Sequence, residues 1–207
     1  MRKSALHRFW ILSLLLLLPL IGCSSGPKLP PLTQEGVVLA FGDSITYGTG
    51  AGAEESYPAV LGRLISRRVV NAGIPGEISG DGLARLPLLL DQEKPSLVII
   101  CHGANDMLRG MDMKVAADNL RAMVSLAKER GASVVLIAVP ALGYGLSPIP
   151  FYGEVAREAG VPCQEQLLSE ILSRRSLKAD FVHPNAAGYR MMAESLAALL
   201  KQSGALP

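Results

Sequence analysis

Histidine, cysteine, aromatic residues and charge are all scarce in this chain of 207 residues, and each shortage removes a class of reading. The three cysteines, at positions 23, 101 and 163, are too few and too scattered for a disulfide framework and lack metal-ligand spacing. Cys101 and Cys163 flank apolar segments, which reads as buried free thiols. Aromatic residues are 5% of the chain, little from which to build an aromatic-lined carbohydrate groove. Charged residues are 18%, and three of the basic ones (Arg2, Lys3, Arg8) crowd the N-terminus. Without residues 1–22 the basic count falls from 20 to 17 against 18 acidic residues, so the formal charge of +2 becomes −1. No basic stripe remains, and nucleic acid is excluded as a partner. Histidine is as scarce as cysteine. Beyond His7 there are only His102 and His183.

The basic N-terminus leads into an uncharged apolar run from Phe9 to Gly22. That is short of the ~20 residues a membrane span needs, and it suits a signal-peptide core. The run ends in Leu20-Ile21-Gly22-Cys23, which resembles the bacterial lipobox. Residues 1–22 are therefore expected to be a lipoprotein signal peptide, with Cys23 as the lipidated new N-terminus. An ordinary signal peptide or an uncleaved anchor are the other readings. Ser24, rather than aspartate, after Cys23 leans toward an outer-membrane anchor facing the periplasm. Residues 23–35, rich in Ser, Gly and Pro, read as a flexible tether, and residues 36–203 as one domain.

Within that domain, strands are expected at Val37–Phe41, Val69–Gly73, Ser96–Cys101, Ser133–Val139 and Val161–Cys163. Helical periodicity falls between them, at Tyr57–Ser66, Leu83–Leu90, Val115–Arg130, Glu154–Ala159, Glu165–Arg174 and Asn185–Lys201. Pro87 is expected to confine or kink the second of these. Residues 140–151 form a loop of high apolar content. Alternating strands and helices predict a parallel sheet covered on both faces. Gly48-Thr49-Gly50-Ala51-Gly52-Ala53 formally matches a dinucleotide fingerprint. It begins too far beyond its strand, however, and the next strand offers Asn71 where a ribose would need a carboxylate.

The first strand runs into Gly42-Asp43-Ser44, placing a serine where open α/β sheets put their ligands. A serine hydroxyl needs a base, a group to orient that base, and donors for an oxyanion. His183 lies in a polar turn before the last helix with Asp180 three residues ahead, close enough for the carboxylate to reach a ring nitrogen. A surface histidine at a helix start, beside a turn-forming aspartate, is the other reading. Gly73 ends the second strand and Asn105 comes after the third, so a backbone N–H and a side-chain amide fall on the edge that carries Ser44. Each alone could be a plain turn residue. Their places at successive strand ends point to oxyanion donors.

Four blocks, Gly42-Asp43-Ser44-Ile45-Thr46, Asn71-Ala72-Gly73, Gly103-Ala104-Asn105-Asp106 and Asp180-Phe181-Val182-His183-Pro184, together resemble the SGNH (GDSL) hydrolases in order and spacing. Gly82–Pro87 and Leu108-Arg109-Gly110 are similar to the bacterial periplasmic thioesterase/lysophospholipase/arylesterase branch. The resemblance implies a flavodoxin-like three-layer α/β/α fold with a five-stranded parallel sheet. It further implies Ser44 as nucleophile, His183 as base, Asp180 as its partner, and an oxyanion hole of Ser44 N–H, Gly73 N–H and the Asn105 side chain. Phe181 stands where the family often has glycine and is expected to narrow the site. His102 has no counterpart in the pattern and is assigned a structural or supporting role.

The activity so implied is hydrolysis of a carboxylic ester or thioester (an arylester, lysophospholipid or acyl thioester) through an acyl-enzyme, by a monomer, with no metal or organic cofactor. Met107, Leu108, Leu146, Ile149 and Phe151 are the candidates for contact with the acyl group. Two rival readings are a carbohydrate O-deacetylase on the same scaffold and a lipoprotein binding module without catalysis.

Overall fold

In a computed structural model, residues 26–141 and 145–207 are described. The expected signal peptide, Cys23, Leu142 and Tyr144 lie outside the described residues. Five strands, β1 (Val38–Gly42), β2 (Val69–Gly73), β3 (Leu97–Cys101), β4 (Ser133–Ile137) and β5 (Cys163–Gln164), form one parallel sheet in the order β2-β1-β3-β4-β5. Every residue of β1 and β3 is buried, as befits central strands covered on both faces, and so neither shows polar alternation. The sheet is the one expected, with β5 reduced to two residues.

Helices α1 (Ser44–Tyr47), α2 (Tyr57–Ile65), α3 (Ser79–Glu93), α4 (Ala104–Leu108), α5 (Met113–Glu129), α6 (Phe151–Ala159), α7 (Leu167–Ser173) and α8 (Ala186–Ser203) complete the fold. One layer packs α2 with α8, and the other packs α3 with α5 and α5 with α6. Pro87 does not confine its helix, because α3 runs through it for 15 residues. The Leu86 and Leu90 side chains on either side of it are fully anchored in the core, and such burial outweighs one absent backbone hydrogen bond.

The expected tether is also different in part. Leu29 and Leu32 are buried in the core, and their N–H groups donate to Ser203 O and Ala205 O, both at 2.9 Å. The Pro-rich segment is therefore a docked strap from Leu29 onward, and the domain begins before residue 36.

Register decides where the site falls. Gly42 is level with Gly73 on one side and Cys101 on the other. The segments that leave these three strands therefore emerge at the same carboxyl edge. There β1 and β3 flank the point where strand order reverses, the crevice in which such sheets bind ligands.

Candidate active site

Past Gly42 the chain turns at once into α1. The buried Asp43 caps this turn, its Oδ1 accepting from Ile45 N–H at 3.1 Å. Burial pushes the Asp43 carboxyl up, while His102 and the Ile45 N–H pull it the other way. Ser44 thereby becomes the first helical residue, with a backbone N–H that has no acceptor within the helix.

The facing turn precedes α8. Lys178 and Pro184 form an antiparallel bridge, and Ala179 N–H donates to His183 O at 2.9 Å. Inside the turn, Asp180 Oδ1 accepts from the N–H groups of Val182 and His183 at 2.8 and 2.9 Å. Asp180 Oδ2 lies 2.8 Å from His183 Nδ1. A carboxylate only accepts, so Nδ1 carries the proton and Nε2 is left as an acceptor. That Nε2 stands 2.9 Å from Ser44 Oγ. Burial opposes the charge on Asp180, but the His183 ring and the two backbone N–H groups outweigh it and hold the carboxyl below its ordinary value. The glycine-rich loop supports this turn. A Cβ at Gly50 would overlap Pro184 O and the Ala179 side chain, and Tyr189 Oη donates to Thr49 O at 2.7 Å.

A crevice of about 220 Å³ opens on this triad, lined by Ser44, Ile45, Thr49, Pro75, Gly76, Ala104, Asn105, Leu108, Val182 and His183. Asn105 is where the sequence places it. One Nδ2 hydrogen is donated to Glu77 O at 3.0 Å, and the amide's second hydrogen remains available.

Gly73 is not. Its N–H donates to Asn71 Oδ1 at 3.0 Å, and it does not border the crevice. A Cβ at Gly73 would overlap the Tyr47 N–H, so this glycine lets the end of β2 lie against α1. The glycine that borders the crevice is Gly76, at φ +79°, and its N–H donates to no protein group among the described residues. Its signal was the turn sequence Ile74-Pro75-Gly76.

Of the residues expected to contact an acyl group, Leu108 lines the crevice and is half exposed. Met107, Ile149 and Phe151 instead pack against the core, the Phe151 ring stacking on Tyr152 at 4.3 Å between centroids, and Leu146 stays in its loop. Ile45, Pro75, Ala104 and Val182 supply the apolar lining that the sequence reading missed. Phe181 does not narrow the site, since it is 87% exposed. The free thiols of Cys101 and Cys163 take no part, and burial pushes both up, Cys163 to about 12.

The chain's second histidine is buried behind the crevice. His102 Nδ1 accepts from Gly103 N–H at 3.1 Å, so Nε2 bears the proton and donates to Glu77 Oε2 at 3.0 Å. Arg85 grips the same carboxylate through Nε and Nη2, each at 2.6 Å. Burial again opposes the charge, but His102 and Arg85 prevail and hold the Glu77 carboxyl below its ordinary range.

This has a consequence for stability. A depressed carboxylate contributes stability above its unfolded value, about 4.3 for Glu, and loses it as pH falls through the folded value. The melting temperature should hold from neutral pH to about pH 5 and then fall, more gently in Glu77→Gln. Asp43, shifted upward in part by the Glu77 charge itself, contributes with the opposite sign, so the difference between wild type and Glu77→Gln reports Glu77 together with that coupling. An acid limb equally steep in both proteins would remove Glu77 from this role.

The described residues hold no cluster of three or more His, Cys, Asp or Glu that could bind a metal ion, and Ser44 is the group at the crevice poised to react. Comparison with known proteins points the same way. The model of the GDSL-like lipase/acylhydrolase family matches residues 40–191. The arylesterase of Vibrio mimicus is 35% identical over 171 residues, 77% of this chain and 86% of that protein. The thioesterase 1/protease 1/lysophospholipase L1 of Escherichia coli K12 is 33% identical over 172 residues, 79% of this chain and 83% of that protein. The crystal structure of TesA superposes with a TM-score of 0.72 at 32% identity, covering 81% of this chain and 99% of that one. A serine esterase is what site and comparisons agree on, and the chain belongs to the GDSL-like lipase/acylhydrolase family.

Proposed function

We propose that the chain hydrolyses small carboxylic esters or thioesters through an acyl-enzyme on Ser44, with Asp180 and His183 as its partners. The observation that carries this reading is the unbroken run of hydrogen bonds from Asp180 through His183 to Ser44 Oγ at the crevice floor. Ser44 Oγ attacks the carbonyl carbon while its proton passes to His183 Nε2, and Asp180 steadies the imidazolium that forms. The carbonyl oxygen, now negative, takes hydrogen bonds from Ser44 N–H, Gly76 N–H and the free hydrogen of Asn105 Nδ2. His183 returns the proton to the departing alcohol or thiol. A water, deprotonated by His183 in turn, releases the acid.

The size and lining of the crevice support short acyl groups or aryl esters. About 220 Å³ lies below the usual range for drug-sized ligands, and its walls are largely apolar. A long acyl chain would have to extend out of the crevice past the exposed Leu108. Hydrolysis of p-nitrophenyl esters from acetyl to palmitoyl should peak at short to medium chains. Turnover of acetyl esters alone would favour the carbohydrate O-deacetylase. No turnover at any length by folded protein would favour the binding module.

The lipobox-like leader supports an envelope lipoprotein attached through Cys23 and facing the periplasm from the outer membrane, and a monomer is the expected form. Gly26 and Leu29 lie beside Ser133, Val161 and Cys163, at the edge where the strands begin. The crevice is at the opposite edge, where they end. An anchor at Cys23, three residues before Gly26, would leave the active site facing away from its own membrane, which suits substrates that diffuse through the periplasm. The intact mass of detergent-extracted protein should show cleavage before Cys23 and added lipid, and both should vanish in Cys23→Ser. An unmodified N-terminus would refute the anchor and leave the esterase reading standing.

A further inference from the structure

The catalytic scheme leaves one buried ionic cluster unused, formed by Glu77, Arg85 and His102. We propose that Glu77 is a positioning residue of the oxyanion hole, locked in place by Arg85 and His102. This rests on the assignment of Gly76 N–H and Asn105 Nδ2 as oxyanion donors. Glu77 directly follows Gly76, and each of its polar groups is engaged. Its N–H donates to Ile74 O at 3.2 Å, closing the turn that presents Gly76. Its carbonyl takes one hydrogen of Asn105 Nδ2 at 3.0 Å, which aims the other. Its carboxylate is fixed by Arg85 and by the Nε2 proton of His102.

Arg85 extends the lock to the strands on which the site is built. Its Nη2 also donates to Ala72 O at 2.8 Å and Gly42 O at 3.3 Å, and its guanidinium lies 4.3 Å over the Phe41 ring. One side chain thus ties the end of β2 and the residue before Asp43-Ser44 to the residue after Gly76. The guanidinium also balances the Glu77 charge, so a developing oxyanion does not face an unpaired carboxylate.

The His102 side of the lock is built with equal closeness. Tyr152 Oη donates to His102 O at 2.6 Å. A Cβ on Gly82 of α3 would overlap the His102 ring at Nε2, so the glycine is what admits the imidazole. The rest of the loop is held independently, with Arg109 Nη2 on Gly76 O at 2.6 Å and Asp106 accepting from Ser79 N–H and Oγ at 2.8 and 2.6 Å. Removing the Glu77 carboxylate therefore loosens one anchor of a loop that keeps others.

Misplacing a donor by an ångström costs about 10²-fold, comparable to deleting it. Glu77→Ala should lower kcat about 10–100-fold while KM moves less than about threefold, and Glu77→Gln, which keeps an acceptor for His102, should recover most of the loss. The decisive comparison is a double-mutant cycle with Asn105→Ala. If Glu77 acts through the hole, the double variant loses clearly less than the product of the two single losses, and what it loses beyond Asn105→Ala is the part that Glu77 exerts through Gly76. Multiplying losses, or a kcat for Glu77→Ala within about twofold of wild type, would overturn the proposal. Should Glu77→Ala not fold, Arg85→Lys carries the same test, because lysine cannot hold both carboxylate oxygens and two carbonyls. Asn105→Ala alone separates the two levels. Near-normal activity there refutes the donor assignment, whereas a large loss there with none in Glu77→Ala refutes only the positioning role.

Discussion

Alanine at Ser44 should reduce ester hydrolysis about 10⁴–10⁶-fold with the fold unchanged, the size of effect seen when a catalytic serine is lost elsewhere. The fold should survive because Ser44 Oγ, among the described residues, makes its one protein hydrogen bond to His183, while α1 is held by the Asp43 cap and the buried Ile45 and Thr46 side chains. His183→Ala should be nearly as severe, since the same proton transfer is removed. The two losses should not multiply, because either one disables the same step. Asp180→Ala should cost less. The Asp180 side chain is 51% exposed and its partner His183 only 17%, so water can take the place of the carboxylate at Nδ1 more readily than anything can replace the base. A double variant much slower than Ser44→Ala would mean that His183 serves some second step.

Asn105→Ala is the second large effect, about 10²–10³-fold in kcat with little change in KM. In the proposed scheme Ser44 and Gly76 contribute backbone N–H groups, which substitution cannot remove, so Asn105 is the one donor of the three that mutagenesis can delete. Its loss also frees Glu77 O, so part of the cost is positional. Gly73→Ala should behave differently. Its Cβ would collide with Thr46 and Tyr47 at the end of α1, so the expected result is a lower melting temperature with kcat falling as the fold loosens. Normal activity in Asn105→Ala would remove Asn105 from the oxyanion hole.

The sequence spoke most clearly where function depends on residue type at fixed spacing. Ser44, Asp180, His183 and Asn105 each stand at a recognisable strand end or turn, and the structure brings all four to one site. Gly73 and Gly76 show where such reading stops. Both are glycines near the end of β2, three residues apart, and their separate tasks depend on which way a backbone amide points. That direction is set by the turn at Ile74–Glu77 and by Asn71 Oδ1, which takes the Gly73 N–H. Leu29 and Leu32 were concealed for another reason. Proline, glycine and serine around them read as linker, but their partners are Ser203 and Ala205 at the far end of the chain, a contact that local composition does not encode. Ile149 and Phe151 illustrate the same limit, as apolar residues of a loop near the site that turn inward to the core. His102 lies just past a wholly apolar strand, and its role emerges only when Glu77, 25 residues earlier, is found against its ring.

The central claim is that Ser44 is the nucleophile, and the mass of the protein after reaction with a serine-directed phosphonate tests it most directly. One adduct per chain is expected, mapped to the peptide containing Ser44, absent from Ser44→Ala and slowed in His183→Ala. An adduct on another serine, or none on folded wild-type protein, would contradict it.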